Sequence, residues 1–324
     1  MRILITGGTG FLGNNVVRAL LKQGHDVVAT VRHSSNRATL SGLAVETLDL
    51  NLNDASAIAL ALEGIDVVIH SAAMIQVGWT KLEASRKVNV EATAKIAEAA
   101  RRKNIRMIYV STVDALGAGS ETEFGDETKL DPPKPACSYV VSKREAETAF
   151  ILEVANGLDG VIVNPGFMVG PYDWKPSSGE MMLFIAKNFI FFAPAGGCSV
   201  VDVRDVADGV VSSIEHGRTG ERYILGGQNM SYFDLWALMA EVMDRGGPKR
   251  KLRNWTASLA GKCGDIVGKL MKKETQLNSA ATTMGQMFHY YSSDKAKREL
   301  GYEFGSVEDA LRDAWDWFKL NGYV

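Results

Sequence analysis

The first thirteen residues constrain this chain more than any other stretch. An apolar run, Ile3-Leu4-Ile5, ends at Thr6 and passes directly into Gly7, Gly8, Thr9, Gly10, Phe11, Leu12 and Gly13. A strand entering a turn with three spaced glycines is suited to hold a dinucleotide pyrophosphate. The first glycine allows the tight turn, the second lets backbone approach phosphate oxygens, and the third lets the following helix pack close to the strand. The helix opening at Phe11 then offers its unpaired N–H groups to the anion.

The first half carries the periodicity expected around such a turn. Short apolar runs near 2–6, 26–31, 45–48, 66–69, 106–110 and 159–163 alternate with amphipathic segments, which predicts strands separated by helices. Runs such as Val67-Val68-Ile69 and Met107-Ile108-Tyr109-Val110 lack polar alternation, as strands covered on both faces do. The expected fold is α/β, a Rossmann-type doubly wound parallel sheet with ligands at the carboxyl ends of its strands. Beyond about residue 166 the sequence turns rich in Gly, Pro and aromatic residues, predicting a smaller C-terminal substrate-binding cap. The expected division is 1–165, with returning segments near 199–226, for the dinucleotide and 166–198 with 227–324 for the cap.

Composition narrows the partners. The 324 residues carry 36 basic and 38 acidic side chains, a net charge of −2 without a long basic run, which argues against nucleic acid. Cys137, Cys198 and Cys263 are odd in number and far apart, and the five histidines form no close pair, so neither a disulfide framework nor a metal site is expected. A reducing cytoplasm fits. The longest apolar stretch, 181–195, is interrupted by Lys187 and Asn188 and ends near Pro194, too short for a transmembrane segment, and Met1 leads straight into the first strand with no room for a signal peptide.

Tyr139 and Lys143 are the second chemical signal. At i and i+4 on a helix they share a face, and a neighbouring ammonium lowers a phenol's pKa toward a useful range. The spacing recurs at Tyr291 and Lys295, but there Ser292-Ser293-Asp294 reads as a helix start, leaving Tyr291 outside the helix in a surface turn. Tyr139 follows Pro132, Pro133 and Pro135, and Ser138 can cap a helix that contains both members of the first pair. Ser111 and Thr112 end the strand after Arg106, where a hydroxyl can meet a substrate oxygen or simply cap a turn.

In this order, these elements resemble the extended short-chain dehydrogenases/reductases of the epimerase/dehydratase superfamily, and within them the dihydroflavonol-reductase-like branch. The resemblance implies cofactor contacts from Gly7, Thr9, Gly10, Phe11, Leu12 and Gly13, from Asp49 and Leu50 on the adenine side, and from Ser71, Ala72 and Ala73 beside the nucleotide. It further implies such contacts from Asn89, Tyr139, Lys143, Pro165, Gly166 and Met168, and a catalytic set of Thr112, Tyr139 and Lys143. The segments Gly220–Gly227 and Tyr290–Tyr302 resemble that branch most.

The second strand ends at Arg32 rather than at an acidic residue, with Ser34, Ser35 and Arg37 nearby, which suits a 2′-phosphate and predicts NADP(H), NAD being the alternative. The function expected is NADPH-dependent reduction of a ketone or aldehyde. A nucleotide-sugar epimerase or dehydratase is the alternative, although Val113-Asp114 replaces the two successive acidic residues of resembling dehydratases; a non-catalytic dinucleotide sensor is the third reading. Met74–Trp79, Phe167, Met168, Tyr172, Trp174 and Phe189–Phe192 predict an apolar small-molecule substrate if they wall the pocket. Long helices near 81–103 and 139–157 could make a homodimer. The basic segment Lys249–Arg253 and the helix-like stretch 255–273 read as a solvated face of the cap, with acidic ligand groups or a membrane surface as alternatives.

Overall fold

The computed structural model describes residues 1–33, 35–129 and 134–324. Ser34 and the Pro132-Pro133 pair, both used above, lie outside the described residues.

Among the described residues, seven parallel strands form the main sheet: β1 (Arg2–Thr6), β2 (Asp26–Val31), β3 (Glu46–Asp49), β4 (Val67–His70), β5 (Arg106–Val110), β6 (Gly160–Pro165) and β10 (Arg222–Leu225). Their spatial order is β10-β6-β5-β4-β1-β2-β3, a doubly wound sheet whose direction of winding reverses beside β1. The central strands are apolar on both faces because helices cover both, whereas the edge strand β3, Glu46-Thr47-Leu48-Asp49, is largely exposed. Ile3 and Ile5 pack with Val16, Val17 and Leu20 of α1 (Phe11–Lys22) and with Val206 and Val210 of α7 (Val203–His216). The intervening Leu4 points to the opposite face with Ile58 of α2 (Ala55–Ala61), Ile96 of α4 (Ala92–Arg102) and Phe150 of α5 (Ser138–Ala155). Each such fully buried side chain contributes roughly 1.5–3 kcal/mol.

The long helix expected near 81–103 is a run of three parts: α3 (Leu82–Ser85), a six-residue π-helical segment Arg86–Glu91, and α4. The wider turn carries Asn89, and such π-turns occur often at functional sites. The helix bearing Tyr139 begins at Ser138, so Ser138 is not its cap. Cys137 has the extended backbone of the cap position, and Ser138 Oγ is buried with no hydrogen-bond partner among the described residues.

A second, four-stranded sheet joins β7 (Phe167–Val169), β9 (Gly197–Asp202), β11 (Gln228–Ser231) and β13 (Phe288–His289). It packs with α6 (Gly179–Lys187), α8 (Tyr232–Val242) and α12 (Val307–Leu320) around Met182, Leu235 and Phe318. Of the returning segments expected near 199–226, the first therefore enters this sheet as β9, whereas Arg222–Leu225 lies at the edge of the main sheet as β10. A short pair, β8 (Phe192–Ala193) with β12 (Arg250–Lys251), leads into α9 (Asn254–Met271), which rests on α10 (Ser279–Met284). Helix α11 (Asp294–Leu300) packs on α7.

Candidate active site

Parallel strands in register bring their carboxyl ends to one edge, and the chemistry-bearing residues follow those ends. The turn after β1, Ser71 after β4, Thr112 after β5 and Gly166 after β6 all lie there. Gly7 adopts φ +76, a conformation that side chains disfavour, and a Cβ on it would come within 2.7 Å of Ala72 N. Gly10 N donates to Gly7 O at 2.8 Å and closes the turn, while a Cβ on Gly13 would overlap Gly7 O. Gly10 is the N-cap of α1 and supplies no side-chain cap, so the N–H groups of Phe11, Leu12 and Gly13 point toward the place an anion would take. This cradle fits a dinucleotide pyrophosphate.

Asn89 braces the neighbouring segment. Its amide accepts from Met74 N at 2.7 Å and donates to Met74 O at 3.0 Å, fixing the strand of Ser71, Ala72 and Ala73 beside the glycine turn. The same amide donates to Ser142 Oγ at 2.9 Å, and Ser142 Oγ donates to Tyr139 O. Ala72 N donates to Thr6 Oγ1 at 3.2 Å. His70, stacked on Tyr109 and bridged between Thr6 and Thr93, is driven down to about 3 by burial, with Lys143 adding to the effect, and is neutral.

Tyr139 and Lys143 are both buried on one side of α5. Lys143 Nζ donates to Val110 O at 2.8 Å and to the Tyr109 hydroxyl at 3.1 Å, leaving a third N–H without a partner among the described residues. Burial lowers its pKa to about 8, against the opposing pull of Glu147. The Tyr139 phenol is pushed well above its ordinary value, first by burial and then by the charge of Asp114, with the Thr112 hydroxyl opposing both. The sequence argument of a phenol lowered by its lysine is thus reversed in the protein alone: desolvation outweighs a lysine whose head group is turned to β5. Thr112 Oγ1 accepts from Asp114 N at 3.2 Å, which leaves its own O–H free to donate. Its carbonyl is held by Asn164 Nδ2 at 2.9 Å, and Asn164 in turn by Glu147 at 2.8 Å.

Arg32 is exposed just beyond β2, and its N–H donates to Ser35 Oγ at 2.9 Å. The register of β2 against β3 sets Val31 opposite Asp49, and Arg37 reaches the Asp49 carboxylate at 3.3 Å. Leu50 is buried beside them. Past β6, Pro165 closes the strand, Met168 packs against the main core, and a Cβ on Gly166 would meet Ser199 O at 2.7 Å.

A cleft of about 1530 Å³ opens from Thr112, lined by Gly166 and Phe167 and further out by Leu183, Phe184 and Trp236. Tyr139 and Lys143 do not line it, being almost wholly enclosed. Behind its wall, against the lining residues Asp114 and His289, lies a charged group that sequence reasoning missed. Lys134 Nζ, fully enclosed, binds Asp114 at 2.7 Å and Val113 O at 2.8 Å, and His289 Nδ1 lies 3.7 Å from the same carboxylate. Burial alone would raise Asp114, but Lys134 and then His289 hold it below the usual carboxylate range. Burial takes His289 down to about 4, so it is neutral. Asp114 was visible two residues after Thr112; nothing local links it to Lys134 or to His289.

A parallel doubly wound sheet with a glycine turn at its reversal point and a Thr, Tyr and Lys at the same edge defines a dinucleotide-dependent enzyme class. The chain belongs to the NAD dependent epimerase/dehydratase family, whose pattern matches residues 3–226, and is an NAD(P)-dependent oxidoreductase of the extended short-chain dehydrogenase/reductase type. It is 33% identical to a putative dihydroflavonol 4-reductase of Synechocystis, over 99% of this chain and 95% of that one. It is 31% identical to sterol demethylase protein B of Methylococcus capsulatus over the whole of both chains. The crystal structure of gox2253 superposes with a TM-score of 0.86 at 33% identity, covering 99% of this chain and 98% of that one.

Proposed function

We propose that the protein is an NADPH-dependent reductase of an apolar ketone or aldehyde, working reversibly on the corresponding alcohol. The observation that carries this reading is the placing of Thr112 and the buried Tyr139 and Lys143 of α5, with Lys143 bonded to Val110 O of β5, at the sheet edge that bears the Gly7–Gly13 turn. In this reading residues 1–165 with 199–226 hold the cofactor, and 166–198 with 227–324 form the substrate cap. The glycine turn and α1 bind the pyrophosphate, Ser71–Ala73 and Asn89 flank the nucleotide, Asp49 and Leu50 flank the adenine, and Pro165, Gly166 and Met168 run past the nicotinamide. The dinucleotide, when bound, supplies the hydride to the carbonyl carbon.

The residues handle the oxygen and its proton. Thr112 donates its free O–H to the carbonyl oxygen and orients it. Tyr139, kept protonated by its burial, gives that oxygen a proton as negative charge develops, and the tyrosinate left behind recovers one from solvent. Lys143 offers its third N–H to the nicotinamide ribose and places a positive charge near the phenol. Asp114 is engaged by Lys134 and is no free base, which favours reduction over the elimination a dehydratase performs. The apolar walls of the cleft, Phe167, Leu183, Phe184 and Trp236, favour a hydrophobic substrate over a nucleotide sugar.

Arg32, exposed and cationic where an acidic residue would favour NAD, supports NADPH. Free Cys137, Cys198 and Cys263 support a reducing cytoplasm, and Ile151 and Leu152, exposed on α5, support a homodimer through α4 and α5. The test is a spectrophotometric screen of NADPH and NADH oxidation against ketones, aldehydes, steroids, flavonoids and keto-sugars. Turnover of apolar carbonyls with NADPH preferred is the expected result. Preference for NADH overturns the cofactor assignment, and tightly retained NAD with nucleotide-sugar epimerisation overturns the reductase reading.

A further inference from the structure

Helix α9 is built inside out. Its small residues Ala257, Gly261 and Gly264 face the protein, and Gly264 approaches the Leu277 carbonyl so closely that a Cβ would overlap it. Its large apolar residues Trp255, Leu259, Ile266, Val267 and Leu270 recur at helical spacing on the opposite side and are exposed, Leu270 by 79%. A helix that served only to cover the cap would have the reverse arrangement. The solvated polar face expected from sequence is therefore an apolar one.

The same face is strongly basic. Residues 249–273 hold eight cationic side chains and one acidic one, Asp265. That single carboxylate turns inward and accepts from Ser279 N at 3.1 Å. Lys262 and Lys269 flank the apolar stripe at the helical period, and Lys272 and Lys273 follow at its end. At its start, the β8–β12 pairing sets Phe192 opposite Arg250, with Lys249 N and Arg250 N both donating to Phe191 O. Phe189, 84% exposed, adds to this end of the patch. Lys272, Lys273 and Leu277 also line the mouth of the cleft.

We propose that α9 and the adjoining β8–β12 edge dock on the surface of an anionic lipid bilayer, lying in the interface without crossing it. Tryptophan, leucine and isoleucine enter the acyl boundary while the flanking lysines meet the headgroups, the arrangement an interfacial helix requires. The charge selects this occupant over a second copy of the chain, since two such faces would set eight cations against eight. No helix among the described residues is long and apolar enough to span a membrane, so attachment is peripheral and reversible. Docking sets the cleft mouth at the lipid surface, and it stands independently of the reaction proposed above.

Cosedimentation of the full-length protein with phosphatidylcholine vesicles, with and without roughly a third phosphatidylglycerol, tests it. Binding at least about tenfold stronger to the anionic vesicles, weakened severalfold by raising salt, is expected. Ile266→Glu with Leu270→Glu should abolish vesicle binding while thermal melting and NADPH binding stay unchanged, because both side chains are already in solvent. Lys249→Glu with Lys251→Glu should remove the preference for anionic lipid. Absence of vesicle binding, equal binding to neutral vesicles, or binding that survives Ile266→Glu with Leu270→Glu overturns the proposal. So does a dimer, seen by sedimentation velocity, that these two substitutions dissolve while vesicles bind nothing.

Discussion

The two Tyr-x-x-x-Lys segments share a spacing and nothing else. Tyr139 and Lys143 sit on consecutive turns of α5, and both are buried. Tyr291 lies before α11, and its hydroxyl donates between Gly117 O at 2.7 Å and Val113 O at 3.1 Å. Lys295, inside α11, reaches away to Glu221 at 2.7 Å and Arg222 O at 2.8 Å. Tyr291 was expected to serve a surface turn and packing; the packing holds and the surface position does not, since it is buried to 2% exposure, clasping the loop that follows Thr112. The Tyr291 hydroxyl is thereby committed to holding that loop. The spacing is therefore a statement about reach along a helix, and chemistry depends on what the hydroxyl already binds.

Substitutions can break this comparison in order of effect. Tyr139→Phe should lower kcat by about 10³-fold while NADPH binding, followed by fluorescence, changes little; turnover within threefold of the parent would remove Tyr139 from the proton transfer. Tyr291→Phe strands two buried carbonyls, so chemical denaturation should show a loss of about 1–3 kcal/mol, with kcat reduced far less than by Tyr139→Phe. If instead activity falls as steeply with stability intact, the two tyrosines are not divided as described.

Burial separates the lysines. Lys143 has its pKa lowered to about 8 by burial, so it is charged below that pH and loses its proton as pH rises through it. Because kcat/KM reports groups of the free enzyme, it should decline on the alkaline side of about pH 8, and Lys143→Arg should move that limb upward. A profile flat to pH 10 would show that the charge on Lys143 is not needed. The smallest effect belongs to Lys295→Ala. Its ion pair with Glu221 is partly exposed, so stability should fall by less than about 1 kcal/mol with kcat/KM unchanged.

The strands of the main sheet were legible because each is a local apolar run. β1 and β2 fall where the sequence places them, and β3, β4 and β6 differ by a residue or two at their ends. The glycine turn was legible for the same reason, since its three glycines answer to sterics within thirteen residues. Helix ends were less so: Ser138 looks like a cap by residue type, yet the extended backbone falls at Cys137. The π-turn at Asn89 leaves no mark in apolar spacing, because its hydrogen bonds run to Met74 and Ser142.

By itself, the sequence determined the doubly wound sheet, the dinucleotide cradle and the residue types at its edge, for these rest on interactions between near neighbours. Only the tertiary structure decided the electrostatics, because desolvation and long-range pairs are not encoded locally. Lys134 lies 20 residues beyond Asp114 and His289 much farther still, yet Asp114 and His289 share one wall of the cleft and Lys134 is bonded behind it. Burial likewise raises the pKa of the Tyr139 phenol where spacing alone predicts a lowered one. Tertiary packing also chose which side of α9 faces out, since three small residues fit where bulky ones cannot and leave Trp255, Ile266 and Leu270 to whatever lies beyond the protein.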